Sequence, residues 1–176
     1  PDAFIQMAIQ LANYRDQGRF VLTYESASTR FFRNSRTETL RTTGDESCAF
    51  VCAMHDEAVD RSKRAEILRL ACEAHVLRNR NCMAGKGVDR HLFVLYVMAK
   101  ASGIHSSFLD HYIQQEWLLS TSQVPVVTNL LNEEIDGGRF AWLGGGFGAV
   151  AQAGYGICYR VTGEQSICAH ITSYRS

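Results

Sequence analysis

Apolar residues at positions 4, 5, 8, 11 and 12 of DAFIQMAIQLANYRDQG recur with the period of a helix, not a strand. Asp2 is placed to cap its start and Gly18 to end it. RFVLTYES follows, rich in β-branched and aromatic residues, and predicts a strand. Residues 27–43 are polar and irregular, with RTETLR among them. DESCAFVCAMHD predicts a second helix. A third runs from Ser62 to Arg80, its apolar positions (Ala65, Ile67, Leu68, Leu70, Ala71, Ala74) mixed with many charges. VDRHLFVLYVMAKASG predicts a fourth, ended by Gly103, and SSFLDHYIQQEWLL a fifth. After STSQVP, the run VVTNLL predicts a strand. The polar NEEIDGGR leads to the glycine-rich WLGGGFGAV. YGICYRV and SICAHITSY are two last strands, joined as a hairpin through TGEQ. Helices interleaved with strands and closing on a hairpin imply an α/β fold, a mixed β-sheet with packed helices.

Length and charge narrow the reading. A chain of 176 residues suits one domain or most of one and can bury roughly 70% of its unfolded surface. Its formal net charge is zero, which gives no footprint for nucleic acid or another polyanion. The six cysteines (48, 52, 72, 82, 158, 168) form no CxxC. They read as reduced, mostly buried thiols of an intracellular protein, with Cys48 and Cys52 on one helix face. No signal peptide and no run of membrane-spanning length is visible. The chain opens at Pro1 and ends just after a strand, so a fragment of a longer protein is expected.

Four segments could carry chemistry. TYES puts Tyr24 and Ser26 on one face of a strand end, although a core tyrosine is the simpler fate of Tyr24. RTETLR offers Arg36 and Arg41 as a clamp for a carboxylate or phosphate, against the alternative of a solvated loop. GKGVDRHLF opens a helix at which Asp89 suits the dipole and Arg90 does not. Arg90 is therefore a candidate anion holder, although ion pairing is the commoner outcome. GGGFG lacks the GK[ST] of a phosphate loop and precedes strand-like residues, so close approach of backbone or ligand is its simplest use. The six histidines show neither triad nor metal-ligand spacing, and no metal is predicted.

Taken together and in order, PDAFIQMAIQLA, TYESASTRFFRNSRTETLR, GKGVDRHLF, LSTSQVP, GGGFGAV and GYGICY resemble the carnitine/choline acyltransferase family. GGGFG and DRHLFVLYV are most similar to its long-chain members, the type 1 palmitoyltransferase group. The resemblance implies a chloramphenicol acetyltransferase-like half of a two-domain enzyme. Residues 1–176 would be the C-terminal half, and the N-terminal half, with the catalytic histidine, would lie outside this chain. It implies reversible acyl transfer between coenzyme A and the hydroxyl of carnitine, in fatty acid transport and oxidation. No cofactor is implied, since the coenzyme A thioester is a substrate. The implied partners are carnitine, acyl-CoA and the N-terminal half. A mitochondrial outer-membrane location follows, with the catalytic part facing the cytosol and anchoring by segments outside this chain. The isolated fragment would be inactive.

Residue by residue, Tyr24, Thr37 and Arg90 match the grip on the carnitine carboxylate, and Ser26 and Ser120 match further carnitine-side positions. Phe147 matches an aromatic near the trimethylammonium. Ser122 matches the donor to the oxyanion, the catalytic hydroxyl of this half. Gln123, Glu25 and Ser28 match coenzyme A contacts. Gly145 stands where a bulky residue closes the acyl pocket of the short-chain type, which implies medium or long chains. Thr37, Thr39 and Arg90 are of the carnitine type, not the choline type. The alternative expectation is a non-catalytic acyl-CoA or carnitine binding module derived from the family.

Overall fold

The computed structural model describes residues 1–124, 145–162 and 166–175. The expected strand VVTNLL, the loop NEEIDGGR and Gly144 lie outside them. Among the described residues there are five helices and five strands, with both parallel and antiparallel pairing, as expected of a mixed α/β fold. They form two compact units, Pro1–Trp117 and Leu118–Ser176.

The first unit opens with α1 (Asp2–Gln17). Gly18 ends it in the left-handed conformation, φ 67°, and returns its N–H to the Tyr14 carbonyl, which is the reason a glycine stands there. Asp2 lies in the first turn, not at the cap. Then come β1 (Thr23–Ser28) and β2 (Thr37–Arg41), paired antiparallel with Ser26 opposite Thr39 and Ser28 opposite Thr37. The second of these corrects the expectation of an irregular segment. TETLR carries little apolar signal, yet pairing with β1 buries Glu38, Thr39 and Leu40.

Three helices follow: α2 (Asp45–His55), α3 (Arg61–Met83) and α4 (Asp89–Ala101). The last helix, α5, covers only Ser107–Gln114, shorter than its sequence pattern predicts, and Leu119 belongs to the next strand. Met7, Phe50, Val51 and Ala71 make the core between α1, α2 and α3. A second cluster, Ala27, Leu40 and Cys82, seats β1 and β2 on the end of α3. Apolar burial of this kind supplies roughly 25 cal/mol per Å² and is the main force fixing the strands on the helices.

The second unit holds β3 (Leu119–Gln123), β4 (Tyr155–Thr162) and β5 (Ser166–Thr172). Thus the hydroxyl-rich run LSTSQ is itself a strand. β3 runs parallel to β4 with Ser120 opposite Gly156 and Ser122 opposite Cys158. β4 and β5 pair antiparallel, as the hairpin reading predicts, with Gly156 opposite Thr172. Glycine at 156 is a packing requirement: a Cβ there would sit 2.7 Å from Thr172 Oγ1 and 3.0 Å from the Phe147 carbonyl oxygen. All six cysteines are free. Only Cys82 and Cys158 are buried and Cys52 is exposed, so the expectation of mostly buried thiols is not met.

Candidate functional site

Burial alternates along β1. Thr23, Glu25 and Ala27 face the helices, while Tyr24, Ser26 and Ser28 face outward. The outward face opens a cavity of about 450 Å³, lined by Tyr24, Ser26, Arg36, Thr37 and Arg90. By resemblance, Tyr24, Thr37 and Arg90 match the carboxylate grip and Ser26 a further carnitine-side position, while Arg36 is one half of the candidate anion clamp. Tyr24 also packs edge-on against Trp117, with ring centroids 6.0 Å apart.

The arginines divide into two kinds. Arg41 is taken by a bidentate pair with Asp89, at 2.9 Å from Nε to Oδ2 and 2.7 Å from Nη2 to Oδ1, and it lies over the Trp117 ring. Its hydrogen bonds to Asp89 raise the guanidinium pKa further, against the effect of burial. Arg41 is therefore structural, and the clamp pairing it with Arg36 is not formed. Asp89 is buried, and the ion pair expected at the start of α4 belongs to it. Arg90 instead donates from Nε to the Thr37 carbonyl and from Nη2 to Thr37 Oγ1, each at 3.2 Å. Neither Arg90 nor Arg36 has a carboxylate partner among the described residues. Two guanidiniums without an internal counter-ion, beside three hydroxyl residues, suit a ligand carboxylate or phosphate.

Glu38 holds this corner together. Its Oε1 accepts from the backbone N–H of Thr39 at 2.7 Å and of Arg90 at 3.2 Å. The Glu38 side chain also runs against Gly87, where a Cβ would come within 2.2 Å of Glu38 Cγ. Gly87→Ala is expected to destabilise the protein by about 1–3 kcal/mol, the usual range for overpacking. It should also displace the start of α4, and with it Arg90. Thermal unfolding measures the first effect, and an unchanged melting temperature would refute the close approach.

Behind the pocket, on the inward face of β1, lies a cluster that sequence spacing could not reveal. His75 on α3 is buried, with Nε2 3.1 Å from Glu25 Oε2 and 3.7 Å from Asp2 Oδ2. Thr42 Oγ1 is 3.3 Å from Glu25 Oε2. Burial alone would lower the imidazole pKa, but the Asp2 and Glu25 carboxylates outweigh it and raise it to about 9. Burial raises the Glu25 pKa, with His75 opposing. The folded-state pKa of His75 lies above its ordinary 6.5. Its stabilisation is therefore complete below pH 6.5 and is lost as pH rises through about 9. Among the described residues, this is the one trio of such side chains close enough to hold a metal ion. With a carboxylate on either side of the imidazole, the trio forms an ion-pair cluster. The Glu25 carboxylate, matched by resemblance to coenzyme A, points into this cluster.

In the second unit, alternation places Ser120 and Ser122 on one face of β3 and Thr121 with Gln123 on the other. Ser120 and Thr121 are buried, Ser122 is half-buried and Gln123 is exposed. Phe147 is half-buried and pinned by Thr172 Oγ1, which donates to its carbonyl at 2.6 Å. No described residue lies within 4 Å of a Cβ built on Gly145.

Fold and pocket together define an α/β protein whose first unit presents a cationic, hydroxyl-lined cavity suited to a small anion. The chain belongs to the choline/carnitine O-acyltransferase family, whose model matches residues 1–176. It is 47% identical to human carnitine O-palmitoyltransferase 1, liver isoform, over 98% of this chain and 22% of that protein. Its identity to the rat muscle isoform is 44% over the same shares. To rat carnitine O-acetyltransferase it is 39% over all of this chain and 26% of the relative. The chain thus spans about a quarter of the length of the relatives it matches. No helix among the described residues is long and apolar enough to cross a membrane.

Proposed function

We propose that this chain is part of the C-terminal catalytic half of a carnitine O-acyltransferase that moves long fatty acyl groups between coenzyme A and carnitine. The observation that carries the reading is Arg90, held on Thr37 beside Tyr24 with no carboxylate among the described residues to neutralise it. Carnitine brings the carboxylate such a guanidinium needs. Choline, a cation without one, would meet Arg36 and Arg90 as repulsive neighbours, so the pocket selects carnitine.

In the reaction, the carnitine hydroxyl attacks the thioester carbonyl, giving a tetrahedral intermediate that expels the coenzyme A thiol. Tyr24, Thr37 and Arg90 hold the carboxylate, and Ser26 and Ser120 add polar contacts to carnitine. Phe147 offers its ring to the trimethylammonium. Ser122 donates to the oxyanion. Gln123 and Ser28 serve coenzyme A. The proton of the attacking hydroxyl goes to a general base outside this chain, which the N-terminal half would supply. The isolated chain is then inactive. An apolar surface on α4 and beyond, including Phe93, Val94, Val97 and Met98, is exposed, as a domain face covered in a longer protein would be. Long-chain chemistry fits a mitochondrial outer-membrane location, with the anchor elsewhere in the protein.

The test is an assay of the full-length protein with acyl-CoAs of graded length, with carnitine and choline competing as acceptors. Palmitoyl-CoA and carnitine should be the preferred pair, and a protein that binds both without transfer would be a binding module instead. Gly145, with no described residue within 4 Å of a Cβ there, adds a sharper expectation. Gly145→Met should depress palmitoyl transfer more than acetyl transfer, and unchanged palmitoyl activity would refute the acyl-pocket assignment.

A further inference from the structure

The inward face of β1 bears directly on its outward face. Glu25 sits between Tyr24 and Ser26, so fixing its carboxylate fixes the backbone from which both pocket side chains project. Two side chains from elsewhere in the fold meet that carboxylate. His75 reaches it from α3 at 3.1 Å, and Thr42, just beyond β2, lies 3.3 Å away. Asp2 of α1 takes the other side of the imidazole at 3.7 Å. His75 is only 1% exposed, and neither of its ring nitrogens makes a well-aligned hydrogen bond, so the link is chiefly one of charge. A buried charge pair is a poor source of stability but a strict constraint on geometry, because any displacement leaves a charge uncompensated.

We propose that His75 is a positioning residue for the carnitine site: clamped on Glu25 from behind, it sets the placement of Tyr24 and Ser26 in the pocket. The assignment rests on the carnitine reading above. His75 touches no substrate. Its effect passes through the β1 backbone, so it should be felt in acceptor binding and not in the handling of acyl-CoA. The groups that face the imidazole are Asp2 from α1 and Glu25 from β1, both acidic, and they hold it protonated up to a pH of about 9.

The test uses the full-length enzyme in the direction from palmitoyl-CoA to palmitoylcarnitine. His75→Gln should raise the KM for carnitine about tenfold, with the KM for palmitoyl-CoA within about twofold of wild type. Adding Glu25→Gln should restore the carnitine KM to within about threefold, because the buried, unpaired carboxylate is then gone. In the wild type, the carnitine KM should climb as pH passes about 9, and His75→Gln should abolish that climb. Should His75→Gln fail to fold, Glu25→Gln alone carries the test, with the carnitine KM up about threefold and the acyl-CoA KM unmoved. Equal shifts in both KM values, or a lower melting temperature with neither shifted, would overturn the proposal and leave the carnitine reading intact. A wild-type protein with no carnitine-dependent transfer would overturn both.

Discussion

Ser122→Ala in the full-length protein is expected to lower kcat about 100- to 1000-fold while leaving both KM values within a few-fold of wild type. A hydroxyl that donates only once the carbonyl oxygen carries charge contributes to the transition state and not to the ground state, so its loss appears in kcat. The structure supports Ser122 for this role over its neighbours. It is half-buried on β3, whereas Thr121 is fully buried on the opposite face and Ser120 is almost wholly buried on the same one. Pairing to β4 on the parallel side, with Cys158 opposite, fixes its position. Ser122→Thr, which retains the hydroxyl, should recover part of the rate. Steady-state kinetics with carnitine and palmitoyl-CoA varied in turn decide the matter. A rise in either KM with kcat preserved would mean that Ser122 binds substrate and does not stabilise the oxyanion.

Arg90→Ala should raise the KM for carnitine on the order of 100-fold, with the KM for acyl-CoA nearly unchanged. A hydrogen bond to a charged group contributes about 1.5–3 kcal/mol, and the removed side chain takes with it both the charge and the contact to Thr37. Arg90→Lys should recover only part of this, because an ammonium cannot reproduce the fork that binds Thr37 and a carboxylate together. The matching change at Arg41 should behave differently. With Asp89 left buried and unpaired, Arg41→Ala should cost stability before it alters substrate preference. An equal effect of Arg90→Ala on both substrates would refute the carboxylate assignment.

Much of the fold was legible because its helices carry apolar stripes. α1 and its terminal Gly18 could be read from spacing alone, and the β4–β5 hairpin from β-branched runs around a turn. What failed to show in the apolar pattern were two hydroxyl-bearing strands, one in each unit. β2 and β3, TETLR and LSTSQ, are polar because they carry hydroxyls and a guanidinium, and their strand conformation comes from pairing with neighbours. Local pattern cannot register that. The separation of Arg41 from Arg90 was hidden for the same reason. Which arginine meets Asp89 depends on how β2 lies against α4, a contact 48 residues apart in sequence. His75 is the extreme case, an ordinary position in a charge-rich helix until α1 and β1 bring two acids to it.

The two-sided character of β1 makes the site fragile in one particular way. Its neighbours along the chain are opposites in chemistry, hydroxyls outward and a carboxylate inward. A single-residue insertion or deletion between Phe20 and Tyr24 would slip the strand by one place and exchange its faces. Glu25 would then confront the incoming anion, while Tyr24 and Ser26 turned toward an imidazolium left with Asp2 as its carboxylate partner. The segment preceding β1 should therefore tolerate changes of residue far better than changes of length. Among variants of this protein, an indel there would abolish recognition of the acceptor even where the surrounding fold survived.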